Sequence, residues 1–336
     1  PSPVTVAAPA PAPAPAPEVP APALALAPPG PLRAVRPVKV LTQMAPGGPG
    51  TPFFWVHGIG GEVFSYMAVS KHMAVHRPIF GFAADWTVAF PEQERTVETI
   101  AAAYVRELVA MQPQGPYHLG GYCSAAVLVL EIARQLEAQR RTVGAFAILD
   151  YAVVADSGSQ PATAPLLAFA RNLPRWIADD ALPSGLGDLA ARARSKVRRH
   201  RQRRRDVKSG QPRDIRDALG LYRFPESQAE MLRLHLRVIA EYLPKPFSGM
   251  ATLLLPRTGP LLGPWHETGD MGWKDIAQGG VDVHSVAGSH STFLSEPFAG
   301  PLAERLEQSI RAAEARVATA PPAVALGPRP VARVRA

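Results

Sequence analysis

The sequence predicts an α/β fold: a mostly parallel sheet with helices on both faces and a helical lid inserted late in the chain. Three observations predict it. Short apolar runs alternate with helical-period segments from about residue 37 to residue 150, which is how a parallel sheet with crossover helices reads. The alternation stops over residues 155–248, which read as helical, irregular and proline-punctuated, and strand patterns resume afterwards. Finally, Tyr117–Ala126 reads as a strand, a sharp turn and the start of an apolar helix, with the single cysteine of the chain at the turn.

Taken in order, residues 1–36 are a Pro/Ala-rich linker. Eleven of the 37 prolines fall in the first thirty positions, so polyproline II is expected, a spacer of at most roughly 90 Å at about 3.1 Å per residue. The folded domain is expected over 37–316. Val38–Thr42 reads as a strand, Ala45–Pro52 as a Gly/Pro turn, and Phe53–His57 as a buried strand followed by the glycine-rich Gly58–Gly61. A helix over Ser65–His72 and a strand over Pro78–Phe82 follow. Ile100, Tyr104, Leu108 and Met111 lie at helical spacing, which predicts a helix from Thr96 to Met111. The helix after the turn runs to Gln139, and Gly144–Leu149 is a strand ending at Asp150. Beyond the insertion come strands at Met250–Leu255 and Val281–Val286 and a closing helix over Pro301–Ala313; residues 317–336 read as a disordered, weakly basic tail.

Charge is localised. The net charge is +8, but Arg192–Lys208 holds ten Lys/Arg against one acid, Asp206, leaving the rest of the chain at a net −1. This is a near-neutral domain with one basic strip, not a general nucleic-acid binder, and the strip lacks interleaved aromatics. One cysteine excludes an internal disulfide framework and a thiolate metal cluster, and it suits a cytoplasmic location. No apolar run has the length of a membrane span. The chain starts at proline, as a piece of a longer protein would.

The turn carries the chemistry. In a nucleophile elbow of the form G-x-S-x-G, a strained strand-to-helix turn exposes the nucleophile, and small residues two positions away avoid clashes. Gly121 and Ala125 flank Cys123 at those distances, whereas Ser124 would have bulky Tyr122 in the small position. Ligands in open α/β sheets bind beyond the carboxyl ends of the strands. Cys123, Asp150 and His290 lie at such ends in the chain order nucleophile, acid, histidine, the order of α/β-hydrolases. A thiol needs a neighbouring imidazole to become thiolate, and the imidazole needs a carboxylate to orient it. Glu267 and Asp270, after the strand Met250–Leu255, are rival acids; Asp150 is preferred because it ends the strand next after the elbow unit. His57 is read as a loop-shaping residue, His118 lies within the elbow strand, and His200 and His235 fall in the insertion. The oxyanion hole is expected from the backbone N–H groups of Ser124 and Ile59, with Gly58, Gly60 and Gly61 permitting close approach.

The residues that carry this reading resemble a known family. Phe53–Gly61, Gln114–Tyr122, Ile148-Leu149-Asp150, Gly272-Trp273, Gly280–His284, Gly288-Ser289-His290 and Leu294–Pro297 together look like the type I thioesterase domains of non-ribosomal peptide and polyketide synthetases. The resemblance runs from about Val38 to Leu306, with the insertion only loosely matched. It implies an α/β-hydrolase fold, a mobile lid, no bound cofactor, and a substrate delivered as a thioester on the phosphopantetheine arm of a carrier protein. It also places the acid after the strand following the elbow helix, which favours Asp150. The sequence departs from the family's commoner pattern with Cys123 in place of serine and with Ala125-Ala126 in place of glycines. Transfer to a cysteine keeps the acyl group as a thioester, which suits aminolysis or cyclisation as well as hydrolysis. The basic strip reads as a docking surface for an acidic carrier protein or as a solvated helix face. Competing readings are a stand-alone editing thioesterase or cysteine lactone hydrolase of the same fold, and a non-catalytic acyl-binding relative.

Overall fold

The structure is a computed structural model that describes residues 40–83, 86, 90–153, 172–183, 185, 194, 229–259 and 269–319. The Pro/Ala linker, the basic strip except Arg194, His200, Glu267 and the tail from residue 320 lie outside the described residues.

Seven strands form one sheet: β1 (Leu41–Ala45), β2 (Phe53–Val56), β3 (Ile79–Phe82), β4 (Tyr117–Tyr122), β5 (Val143–Leu149), β6 (Ala251–Thr258) and β7 (Val281–Ser289). Their spatial order is β1-β3-β2-β4-β5-β6-β7. Only β1 runs antiparallel to its neighbour; every other pair is parallel. Among the described residues the longer helices that accompany them are α1 (Met67–Met73), α2 (Val97–Met111), α3 (Ala125–Ala138), α4 (Ala229–Glu241) and α5 (Ala299–Thr319). The topology is that of the α/β-hydrolase fold.

Side-chain alternation along β2 sorts the two faces. Phe54 and Val56 join one core with Ile100, Tyr104 and Leu108 of α2 and Val129, Ile132 and Leu136 of α3. Phe53 and Trp55 point the other way, into a core with Val69 and Met73 of α1 and Leu302, Leu306 and Ile310 of α5. All of these are within 1% of complete burial, and each large apolar side chain so buried is worth about 1.5–3 kcal/mol. Packing beside β2 explains a glycine: a Cβ on Gly120 would stand 2.5 Å from the Phe53 ring and 2.9 Å from Trp55. Thr96 caps α2 by accepting the Thr99 N–H at 3.2 Å.

The structure moves several boundaries, among them that of β6, which runs to Thr258 rather than Leu255. β1 is displaced towards Ala45 relative to the expected Val38–Thr42, and Val38 and Lys39 lie outside the described residues. β7 continues to Ser289 rather than stopping at Val286. Pro256 has no N–H for the ladder, so the register shifts between Pro256 and Thr258, after which pairing resumes as Thr258↔Ser289. α5 is longer than Pro301–Ala313 and runs past residue 316 to Thr319, and beyond Ala313 its Glu314 still pairs with Arg77 and His118.

The chain between β5 and β6 is the insertion, and its described parts are helical: residues 172–183, with a π-helical turn at Ile177–Ala181, and α4. Phe247 makes an isolated parallel bridge to Ala277. Met231, Leu234, His235 and Val238 form a buried stripe of α4 at helical spacing, continued by Tyr242 just beyond its end. Tyr242 donates to the buried Glu131 of α3 at 2.8 Å, which ties the end of α4 to the domain.

Candidate active site

The functional side chains gather at the carboxyl ends of β2, β4, β5 and β7. The strand order reverses direction at β2 and β4, the switch point where open α/β sheets form a crevice.

The turn after β4 has the elbow geometry. Cys123 has φ 55°, a left-handed conformation that non-glycine residues adopt only when their surroundings impose it. Its N–H donates to Leu149 O at 2.8 Å. A Cβ on Gly121 would meet Val129 Cγ2 at 2.7 Å and Ala125 Cβ at 2.9 Å. Strand and helix therefore approach too closely for larger residues at 121 and 125, which is the physical content of the small-residue frame. Cys123 is partly exposed and carries a free thiol. Ser124 begins the helix with right-handed dihedrals, and its Oγ is buried with no partner. The exposed tip of the turn is Cys123, not Ser124.

Asp150 and His290 meet. Asp150 also has a left-handed φ, 52°, and its N–H is held by Leu254 O at 3.0 Å. Its buried carboxylate accepts from His290 Nδ1 at 2.5 Å, while the His290 side chain is 51% exposed. Burial pushes the imidazole's proton affinity down. The hydrogen bonds and charges of Asp150 and Cys123 outweigh it and raise the His290 pKa to about 10. Asp270 does not join this group: its Oδ1 accepts the Gly272 N–H at 3.0 Å and shapes the turn before Trp273.

Two tyrosines tie the site together. Tyr122 OH donates to His290 O at 2.5 Å, and the two rings lie 4.7 Å apart. Tyr66 OH donates to Val56 O at 2.8 Å and accepts the Tyr122 N–H at 2.9 Å. Beside the histidine, Ser289 Oγ donates to Asp180 at 2.9 Å and Thr292 Oγ1 to the Asp179 carbonyl at 2.6 Å. Asp179 is itself held by Arg257 at 2.6 and 2.7 Å, which keeps its carboxyl below the usual range against the effect of burial. The insertion is thus fastened next to the histidine loop.

The loop after β2 lies across from the elbow. His57 Nδ1 contacts Gly58 O at 2.9 Å and Nε2 contacts Tyr104 OH at 2.7 Å, so His57 shapes this loop as the sequence suggests. Among the described residues, the N–H groups of Ile59 and Ser124 have no hydrogen-bond partner, the condition an oxyanion hole requires. His235, from α4, approaches the same loop and accepts the Gly60 N–H on Nδ1 at 3.1 Å. Sequence reasoning left His235 in the insertion without a role. The contact spans 175 residues, and no local pattern signals it. His118 sits at the other end of β4, bonded to Glu314 at 3.1 Å.

Comparison with known proteins agrees with this geometry. The thioesterase domain family matches residues 51–310. Among curated relatives, a dimodular nonribosomal peptide synthase of Bacillus subtilis (strain 168) is 32% identical over 111 residues, 33% of this chain and 5% of its own. Microperfuranone synthase of Emericella nidulans is 36% identical over 107 residues, 30% of this chain and 11% of its own. The chain therefore spans a small part of these relatives. Among solved structures, the four-domain nonribosomal peptide synthetase AB3403 superposes over 80% of this chain and 20% of its own, with TM-score 0.53 and 21% identity. The NocB thioesterase domain superposes over 81% of this chain and 99% of its own, with TM-score 0.52 and 17% identity; these two likenesses concern the fold. With the family profile covering most of the sheet and every strand end that carries the site, the chain belongs to the thioesterase domain family.

Proposed function

We propose that this thioesterase domain releases an acyl or peptidyl chain from a carrier-protein phosphopantetheine thioester through a covalent intermediate on Cys123. The observation that carries the reading is the 2.5 Å Asp150–His290 contact beside a cysteine held at φ 55° on the elbow. The proton shared by Cys123 and His290 rests on the imidazole, and Sγ attacks the thioester carbonyl as the thiolate. The resulting oxyanion is stabilised by the N–H groups of Ile59 and Ser124; one such donor is worth on the order of 10²–10³ in rate. Collapse expels the pantetheine thiolate, which takes the proton from His290. The acyl group remains a thioester, so the exchange is close to neutral and the intermediate stays reactive. In the second half an amine, hydroxyl or water gives its proton to the now neutral His290 and attacks, and Cys123 leaves as the thiolate beside the imidazolium. Release is aminolysis, cyclisation or hydrolysis, according to which nucleophile reaches the site. The carrier protein is the partner, docking on the basic strip Arg192–Lys208, whose local net charge of +9 complements an acidic surface.

Incubation with a soluble thioester mimic followed by intact-protein mass spectrometry tests the nucleophile. A mass increment on the wild type that is absent in Cys123→Ala supports the reading. Persistence of the increment in Cys123→Ala would transfer the role to another residue. Product analysis with amines present distinguishes aminolysis from hydrolysis. Reversing four arginines of the strip should slow transfer from a carrier protein while leaving the soluble thioester unaffected; equal slowing of both removes the docking role.

A further inference from the structure

We propose that His235, supplied by α4 of the insertion, is a positioning residue for the oxyanion loop: it fixes the Gly60 amide so that the neighbouring Ile59 N–H stays available to the oxyanion. The inference rests on the reading that Cys123 is acylated with Ile59 as an oxyanion donor.

Two histidines hold the loop on either side of Ile59. On one side Trp86 Nε1 donates to Tyr104 OH at 3.1 Å. Tyr104 OH lies 2.7 Å from His57 Nε2, and His57 Nδ1 lies 2.9 Å from Gly58 O. Donors and acceptors match along this chain when Tyr104 donates to Nε2 and Nδ1–H donates to Gly58 O. On the other side the Gly60 N–H donates to His235 Nδ1 at 3.1 Å. The Ile59 N–H between them has no partner. The two imidazoles stack, with centroids 5.2 Å apart and planes 25° from parallel, and Trp86 closes on His235 at 3.8 Å. His235 is 1% exposed, so its ring has no room to swing away from Gly60.

The loop needs such a tether. Gly60 and Gly61 have φ 102° and 80°, in a region where glycine passes readily between conformations. Gly61 N–H reaches only back to Gly58 O, at 3.2 Å, which closes the turn without fixing its direction. A hydrogen bond from an element outside the loop supplies that direction.

The chemistry of His235 separates this role from packing. Because Nδ1 accepts, the neutral ring carries its proton on Nε2, and Nε2 is buried with no partner. A stranded donor destabilises the fold. A ring kept only to fill space against His57 and Trp86 would be better as phenylalanine. Burial, reinforced by His57, also pushes the His235 pKa down to about 2, which keeps Nδ1 an acceptor.

The test uses His235→Phe and His235→Asn in the full chain, read by steady-state acylation of Cys123 from a soluble thioester and by thermal unfolding. Phenylalanine keeps the ring and removes the acceptor; asparagine carries its Oδ1 close to the position of Nδ1. The expected result is that His235→Phe lowers kcat about tenfold or more, with KM within about twofold and Tm not reduced. His235→Asn recovers most of kcat. Wild-type kcat in His235→Phe, equal losses in both variants, or a loss that follows a drop in Tm would overturn the role. If wild-type protein is acylated at Cys123 while His235→Phe is unaffected, the positioning role alone fails. If the wild type is not acylated at Cys123, the underlying reading fails and the positioning role falls with it.

Discussion

A histidine–carboxylate contact lies towards each end of the sheet's strands, one near the carboxyl end of β4 and one at its amino end, and the two behave in opposite ways. At the carboxyl end, half-exposed His290 meets Asp150 beside Cys123, and its pKa rises to about 10. At the amino end, fully buried His118 meets Glu314, and its pKa falls to about 4. Pairing alone does not set the proton affinity. His118 loses more to burial than Glu314 returns, and Arg77 adds a second positive charge that has already claimed the carboxylates. Arg77 bonds Glu307 through two nitrogens at 2.7 and 2.8 Å and Glu314 at 3.0 Å. At the carboxyl end no cation competes in this way among the described residues, and the sulfur of Cys123 adds a second acceptor that favours imidazolium. One contact is arranged to exchange a proton; the other fastens α5 to the sheet in a single protonation state.

That contrast can be broken from either side. The largest effect is expected from Asp150→Asn, which should slow acylation of Cys123 on the order of 10³-fold by releasing the tautomer and orientation of His290. Glu314→Gln should leave acylation within about twofold. Equal losses in the two would erase the distinction. Next in size, Arg77→Leu leaves the buried Glu307 with Arg311 alone, at 3.1 Å, and should lower unfolding stability by up to about 3 kcal/mol in denaturant titration. The folded fraction should acylate normally.

The pH dependence of stability then separates the two histidines by sign. His118 binds its proton more weakly folded than unfolded, so its contribution is present above pH 6.5. It is lost as pH falls from 6.5 towards 4, at up to about 1.4 kcal/mol per pH unit. His118→Gln should flatten that acid limb. His290 binds its proton more tightly folded, so its contribution is complete below pH 6.5 and is lost as pH rises through about 10. Replacing it should flatten the alkaline limb instead. The smallest effect is expected from Asp270→Ala, which removes one turn hydrogen bond and should cost about 1 kcal/mol with unchanged acylation.

What the sequence could reveal about the site follows from distance along the chain. Gly121, Cys123 and Ala125 are legible together because close packing of a strand against the next helix acts over two residues. Asp150 and Asp270 both follow strands, and residue type could not choose between them. The choice is made by which strand end the histidine loop reaches, a fact of sheet order. His235 was not legible, since a hydrogen bond from Gly60 to a helix 175 residues away leaves no periodic trace. In the fold, β2, α2 and β4 appear where their apolar periodicity puts them. β7 runs longer than its pattern because Pro256 interrupts the ladder only locally before pairing resumes.

The tyrosine link has a consequence for how such a domain can diversify. Tyr66 and Tyr122 join the ends of β2 and β4 to the histidine loop, and every one of these contacts lands on a backbone atom: Val56 O, Tyr122 N and His290 O. Backbone atoms are the same whatever side chain stands beside them. Neighbouring loop residues can therefore drift towards new acyl groups, generation after generation, while the reacting groups keep their spacing.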